Sequence, residues 1–177
     1  MPRMIGIRGP KESGKTTAAK QLVKMGYARH RFAGPLKKAL MVAFGLSEEQ
    51  VDGDLKETPT PLLNGRTPRH AMKTMGTEWG RHMIHKDIWV TAWKNTMPKS
   101  DLIVVDDIRF PNEIEILRKD YGAKIILITR PGRSFDQSHE SEAHEGLHLD
   151  YEIVNDGSLE GFNRAVSETI EKISGGE

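Results

Sequence analysis

Residues 9–16 read Gly-Pro-Lys-Glu-Ser-Gly-Lys-Thr, which satisfies every position of the spacing G-x-x-x-x-G-K-[ST]. The chemistry open to such a run is capture of phosphate. Gly9 and Gly14 let the backbone bend sharply and approach phosphate oxygens with no Cβ in the way. Several N–H groups then converge at the positive end of a helix dipole. Lys15 can reach the β- and γ-phosphates of a nucleotide, and the Thr16 hydroxyl can ligate Mg²⁺. Lys11, Ser13 and Thr17 complete the set expected around the phosphates. The flanks argue against a chance match in a turn. Residues 4–8 read as a short buried strand, and residues 17–25 as an amphipathic helix stopped by Gly26. The chain is therefore expected to bind a nucleoside triphosphate, with ATP the natural ligand.

A triphosphate bound with Mg²⁺ calls for a second anionic group, usually an acid at the end of an apolar strand. Leu102, Ile103, Val104 and Val105 run without alternation into Asp106 and Asp107. Such a run reads as a parallel strand buried on both faces. Asp106 is then expected at the carboxyl edge of the sheet, holding the metal or its waters. Asp107 points the other way by strand parity. It either serves a phosphate acceptor or caps the following turn.

The elements that must position these residues follow from pattern. Strands are expected at residues 29–32, 124–129 and 151–154 besides those at 4–8 and 102–105. Helices are expected at 35–44, 68–83, 87–97, 112–121 and from Ser158 as a cap towards Ile173, with a long loop at 52–67. Strands alternating with helices predict a three-layer α/β fold, a parallel sheet flanked by helices. A chain of 177 residues suits one domain. Its 26 Lys and Arg against 25 Asp and Glu leave no field to draw nucleic acid or an anionic membrane. There is no cysteine, so disulfides, thiolate metal sites and cysteine nucleophiles are excluded. No apolar stretch reaches membrane-spanning length. A cytoplasmic protein is the expectation; monomer and homodimer both stay open.

The stretches G-P-K-E-S-G-K-T, F-A-G-P-L-K-K, M-G-T-E-W-G-R, D-I-W-V, V-V-D-D-I-R-F-P-N-E and I-V-N-D-G-S-L-E together resemble the phage-type deoxynucleoside monophosphate kinases, within the P-loop nucleoside monophosphate kinase group. The resemblance runs from residue 4 to about residue 166. It implies phosphoryl transfer from ATP to a deoxynucleoside monophosphate. It also implies a P-loop fold with an acceptor-binding insertion at about 34–97 and a lid at about 130–149.

Bringing two polyanions together makes catalysis a matter of positioning and charge neutralisation. The acceptor phosphate calls for arginines, which grip oxygens bidentately. The resemblance offers Arg81, Arg69 and Arg109 for this task, and Lys37 matches the family's F-A-D-P-L-K. Gly34 stands where that pattern has its acidic residue, which puts the usual acceptor contact in question. Trp79 and Glu78 are acceptor-side candidates, for stacking and hydrogen bonding; for Trp79, as for Trp89, core packing is the competing fate. Arg130 and Arg133 fall where similar kinases carry lid arginines, with Pro131 and Gly132 as a hinge. Asn155 falls where they border the donor adenine. The histidines at 139, 144 and 148, with Glu140, Glu142 and Glu145, match no compact zinc spacing. Two rivals share the loop. One is a kinase for another small acceptor, of dephospho-coenzyme A or phosphomevalonate type. The other is a nucleotide-dependent switch, which would leave the arginines idle; no guanine-reading N-K-x-D motif supports it.

Overall fold

The computed structural model describes residues 3–135 and 149–175. These residues group into two units, one of residues 3–31 with 98–135 and 149–175 and one of residues 32–97. Among the described residues no helix is long and apolar enough to cross a membrane.

The first unit is built on five parallel strands in the order β2-β3-β1-β4-β5. They are β1 (Met4–Arg8), β2 (Ala28–Arg29), β3 (Ile103–Val105), β4 (Lys124–Thr129) and β5 (Tyr151–Val154). Every residue of β1 is buried, including Arg8 at its carboxyl end, as expected of a central strand covered on both faces. Ile5, Ile7, Val104, Ile126, Ile128 and Ile153 share one face. They pack with Ala18, Ala19 and Leu22 of helix α1 (Lys15–Lys24) and with Phe162, Val166 and Ile170 of helix α7 (Leu159–Gly175). Gly6 lies on the other face, where a Cβ would meet Ile108, Ile125 and Leu117, the last from helix α6 (Pro111–Tyr121). This is the expected three-layer P-loop arrangement. Ser158 caps α7 through Oγ, which accepts the Gly161 N–H at 3.1 Å.

Strand β2 is shorter than the four residues expected. Phe32, read as its last residue, belongs to the other unit, where it is buried against Trp93 with ring centroids 4.8 Å apart.

That second unit holds α2 (Gly34–Phe44), α3 (Glu48–Val51), α4 (Pro68–Lys73) and α5 (Ile88–Asn95). Its core is Leu36, Leu40, Leu46, Val51, Met72 and Trp89. The expected loop at 52–67 carries two short 3₁₀ turns, Asp54–Glu57 and Pro61–Leu63. The helix expected to run to residue 83 leaves α geometry at Thr74 and continues as a π-helix over Thr74–Ile84. Its last turn is closed by the His85 N–H on the Gly80 carbonyl at 3.0 Å, an i to i+5 bond. Two buried glycines explain the wide turn. At Gly76 a Cβ would press on Leu36, and at Gly80 on the Trp89 indole, so both neighbours close in on bare backbone.

Candidate active site

The phosphate loop leaves β1 and enters α1 as the sequence requires. Its backbone departs from ordinary values at two points, Glu12 with φ of 62° and Gly14 with φ of 113°. Gly14 could not carry a side chain, because a Cβ there would meet Asn155 Nδ2 at 2.7 Å and the Phe162 ring at 3.2 Å. At Gly9 a Cβ would collide with the Ile128 carbonyl and with Ser13 Oγ. Strand β4 and helix α7 thus press the loop from outside, and only glycine permits the approach.

Lys15 folds over the loop, its ammonium donating to the Gly9 carbonyl at 2.7 Å and the Pro10 carbonyl at 2.6 Å. Ser13 is fully buried, and its hydroxyl has no hydrogen-bond partner among the described residues. A buried hydroxyl left without a partner costs roughly 1–3 kcal/mol. A ligand that supplied an acceptor there would recover that energy. The Thr16 side chain is exposed at the helix start. Beside these groups opens a cavity of about 450 Å³ lined by Glu12, Gly14, Lys15, Thr16, Thr17, Arg130, Asn155, Gly157, Leu159 and Phe162.

Three residues from elsewhere hold this rim. Asn155 follows β5, and its Nδ2 donates to the Ser13 carbonyl at 2.8 Å. One amide N–H is therefore committed to the loop, and Oδ1 and nearby backbone are placed beside the cavity. Arg130 Nη1 reaches the Glu12 carbonyl at 3.4 Å, and Arg133 Nη2 pairs with the Glu12 carboxylate at 2.7 Å. Pro131 and Gly132 form a tight turn between these arginines, closed by the Arg133 N–H on the Arg130 carbonyl at 3.0 Å. Lys11 is exposed on the loop and does not line the cavity. Residues 136–148, which include His139, His144 and His148 and the neighbouring glutamates, lie outside the described residues.

Asp106 is buried at the end of β3, and its two oxygens accept Nε–H and Nη2–H of Arg29 at 2.8 and 2.5 Å. Strand register explains the pairing. Arg29 lies opposite Val104, so Asp106, two residues further on, shares its face. Asp107 is half-buried and Arg109 exposed. The backbone of Arg109 is clamped at both ends. Its N–H donates to Glu113 Oε2 at 2.7 Å, and its carbonyl accepts from Arg8 Nη1 at 3.1 Å. Glu113 also takes the Phe110 N–H at 3.1 Å, which closes the start of α6.

In the second unit Lys37 Nζ pairs with Asp52 at 2.6 Å and Arg69 Nε with Glu57 at 2.9 Å. On the π-helix, Arg81 Nη1 and Trp89 Nε1 both donate to the Gly76 carbonyl, at 3.0 and 2.7 Å. Trp89 packs in the core, whereas Trp79 is 42% exposed and Glu78 is exposed. Core packing is thus the fate of one tryptophan and not the other. A Cβ at Gly34 would meet nothing within 4 Å, so space does not explain the missing acid.

Sequence reasoning missed Arg29, Arg8, Glu12 and Glu113. A faint signal existed for two of them. Arg29 opens a run read as a strand, and Glu113 follows a proline at the helix start with capping-box spacing. Glu12 sits at a variable position of the loop pattern, and Arg8 reads only as a strand residue.

Residues 60–166 match the sequence profile of a family described as deoxynucleotide monophosphate kinase. A protein of Acanthamoeba polyphaga mimivirus, provisionally named a deoxynucleotide monophosphate kinase, is 35% identical over 189 aligned positions covering 97% of each chain. The deoxynucleoside-5'-monophosphate kinase of Escherichia phage T5 is 28% identical over 106 positions, which cover 55% of this chain and 42% of that one. Among solved structures, TT1252 from Thermus thermophilus matches with a TM-score of 0.53 at 17% identity over 97% of each chain, a likeness of fold.

Proposed function

The chain belongs to the deoxynucleotide monophosphate kinase family, and from that premise we propose how its residues divide the work of moving a phosphoryl group from ATP to a deoxynucleoside monophosphate. The observation that carries the reading is the loop itself: Gly14, Lys15 and Thr16 open on a cavity beside a buried, unpartnered Ser13 hydroxyl. Backbone N–H groups of residues 9–16 and Lys15 hold the β- and γ-phosphates. Leu159 and Phe162 give the donor base an apolar seat, bordered by Asn155.

The residues present also fit Mg²⁺, which when bound neutralises charge on the phosphate oxygens. This ion prefers one or two protein oxygens, substrate phosphates and retained waters. The exposed Thr16 hydroxyl would be one ligand. Each Asp106 oxygen accepts a single guanidinium N–H and so keeps lone pairs for a metal-bound water.

The acceptor phosphate is ionised at neutral pH. One of its oxygens attacks the γ-phosphorus in line, the bond to the ADP oxygen breaks, and neither a general base nor a covalent enzyme intermediate is required. Arg130 and Arg133 neutralise the transferring group; an arginine in this role is worth roughly 10³–10⁵ in rate in well-characterised phosphoryl-transfer enzymes. The acceptor side draws on Lys37, Arg69, Glu78, Trp79 and Arg81 of the insertion at about 34–97, with Asp107 and Arg109. Arg69 is at present held by Glu57 in an exposed pair. Such a pair is worth only about 0–1 kcal/mol, so a doubly charged phosphate can recruit the guanidinium. The substrates are cytoplasmic metabolites, and we place the enzyme there, in the host cytoplasm if its source is a virus.

The test is an assay of ADP release with each deoxynucleoside monophosphate in turn and with none. Release that depends on a monophosphate is expected. Equal release without any acceptor would make this an ATPase and end the reading.

A further inference from the structure

The strand order separates the two halves of the reaction. The phosphate loop follows β1, at the middle of the sheet. The cavity beside it is walled by Arg130 after β4, by Asn155 after β5 and by Phe162 of α7, so the donor nucleotide extends towards the β4–β5 side. In-line transfer requires the acceptor to approach the γ-phosphorus from the side opposite the departing ADP. That side lies over the carboxyl ends of β3 and β2, and ligands of open parallel sheets bind at those ends.

The group waiting there is Arg29, the last residue of β2. Its Nε–H and Nη2–H edge is locked on the buried Asp106 carboxylate, which fixes the side chain in one orientation. Its Nη1 group has no hydrogen-bond partner among the described residues, and the side chain keeps 26% of its exposure. A guanidinium clamped along one edge presents the other edge ready-made to an anion, with little ordering entropy left to lose. We propose that Arg29 grips the phosphate of the acceptor nucleotide, with Asp106 as the residue that positions it. This assignment rests on the kinase reading above. It gives the Asp106 carboxylate a second task, tying the metal's water to the acceptor's anchor.

Steady-state kinetics of the full chain with Arg29→Lys test it, using whichever deoxynucleoside monophosphate the wild type accepts best. Lysine keeps the charge but lacks the planar fork that grips Asp106 along one edge and presents a second edge to a phosphate. The acceptor KM is expected to rise at least tenfold with the ATP KM changed less than twofold. An acceptor KM within twofold of wild type, or an equal rise in both constants, overturns the assignment. The wild type supplies a second readout that no folding defect can obscure. The Arg29 guanidinium ¹⁵N resonances should shift on titration with the monophosphate alone and stay in place with ATP–Mg²⁺ alone. No shift with the monophosphate, in a wild type that transfers phosphate, sinks this inference and leaves the kinase reading standing. A wild type that transfers to no monophosphate sinks both.

Discussion

Single residues around the loop carry different kinds of work, and their replacement should separate them. Lys15 is held by the Gly9 and Pro10 carbonyls over the mouth of the cradle. If its ammonium follows the charge that develops on the phosphates, Lys15→Ala removes a donor of the oxyanion-hole kind. Such a donor is worth roughly 10²–10³ in kcat. The expected result is a loss of that size in ADP release, with the protein still folded by circular dichroism; near-normal turnover would take Lys15 out of the mechanism. Asn155 acts through the loop. Its Nδ2 holds the Ser13 carbonyl, and a single hydrogen bond contributes about 1 kcal/mol. Asn155→Ala should therefore raise the ATP KM several-fold while the acceptor KM stays put. An unchanged ATP KM would mean that the loop keeps its shape unaided.

Among the elements, the π-helix at Thr74–Ile84 is the one whose geometry decides side-chain placement. Its wide turn leaves the Gly76 carbonyl accepting from both Arg81 and Trp89. π-helical turns are uncommon and frequent at functional sites. Here the turn depends on Gly80, where a Cβ would sit 2.6 Å from Trp89 Nε1 and 2.8 Å from the Met75 carbonyl. Neither neighbour can retreat cheaply, one being a core indole and the other main chain. Gly80→Ala should cost about 1–3 kcal/mol through overpacking, read as a lower urea midpoint together with a shifted tryptophan emission. A midpoint equal to wild type would show that the element absorbs a methyl group and is less constrained than its packing implies.

At the scale of the whole molecule, Asp150 ties together three elements of the sheet unit. Its carboxylate accepts the Ile125 N–H of β4 at 2.8 Å and pairs with Arg118 of α6 at 2.7 Å, just ahead of β5. Burial by itself would raise its pKa, but the Ile125 N–H, the Arg118 guanidinium and the Lys124 ammonium together hold it below the ordinary carboxylate value. The unfolded chain takes up this proton near the ordinary value and the folded chain only at lower pH. The stabilisation is therefore complete above the ordinary value and is lost as pH falls through the depressed one. Asp150→Asn should lower the unfolding free energy at pH 7 by about 1–2 kcal/mol, as for a hydrogen-bonded charged group. The gap should close in acid below the folded-state pKa; a gap that persists there would point to packing, not charge.

Local pattern was enough for much of this. Strands β1, β4 and β5 match their expected limits to the residue. Buried parallel strands announce themselves as apolar runs, and eight consecutive residues of loop carry their own phosphate chemistry. Pattern failed where the energy lies in partners remote along the chain. Arg29 meets Asp106 across 77 positions, and Asn155 meets Ser13 across 142. Trp79 and Trp89 look alike in sequence, yet one reaches solvent and the other the core. The turn from α4 into a π-helix hangs on which side chains press against Gly76 and Gly80. A phosphate cradle and the parallel sheet beneath it could be read from the residues alone, because both are set by near neighbours along the chain. Which guanidinium faces which carboxylate came only from the folded arrangement, because long side chains settle by proximity in space.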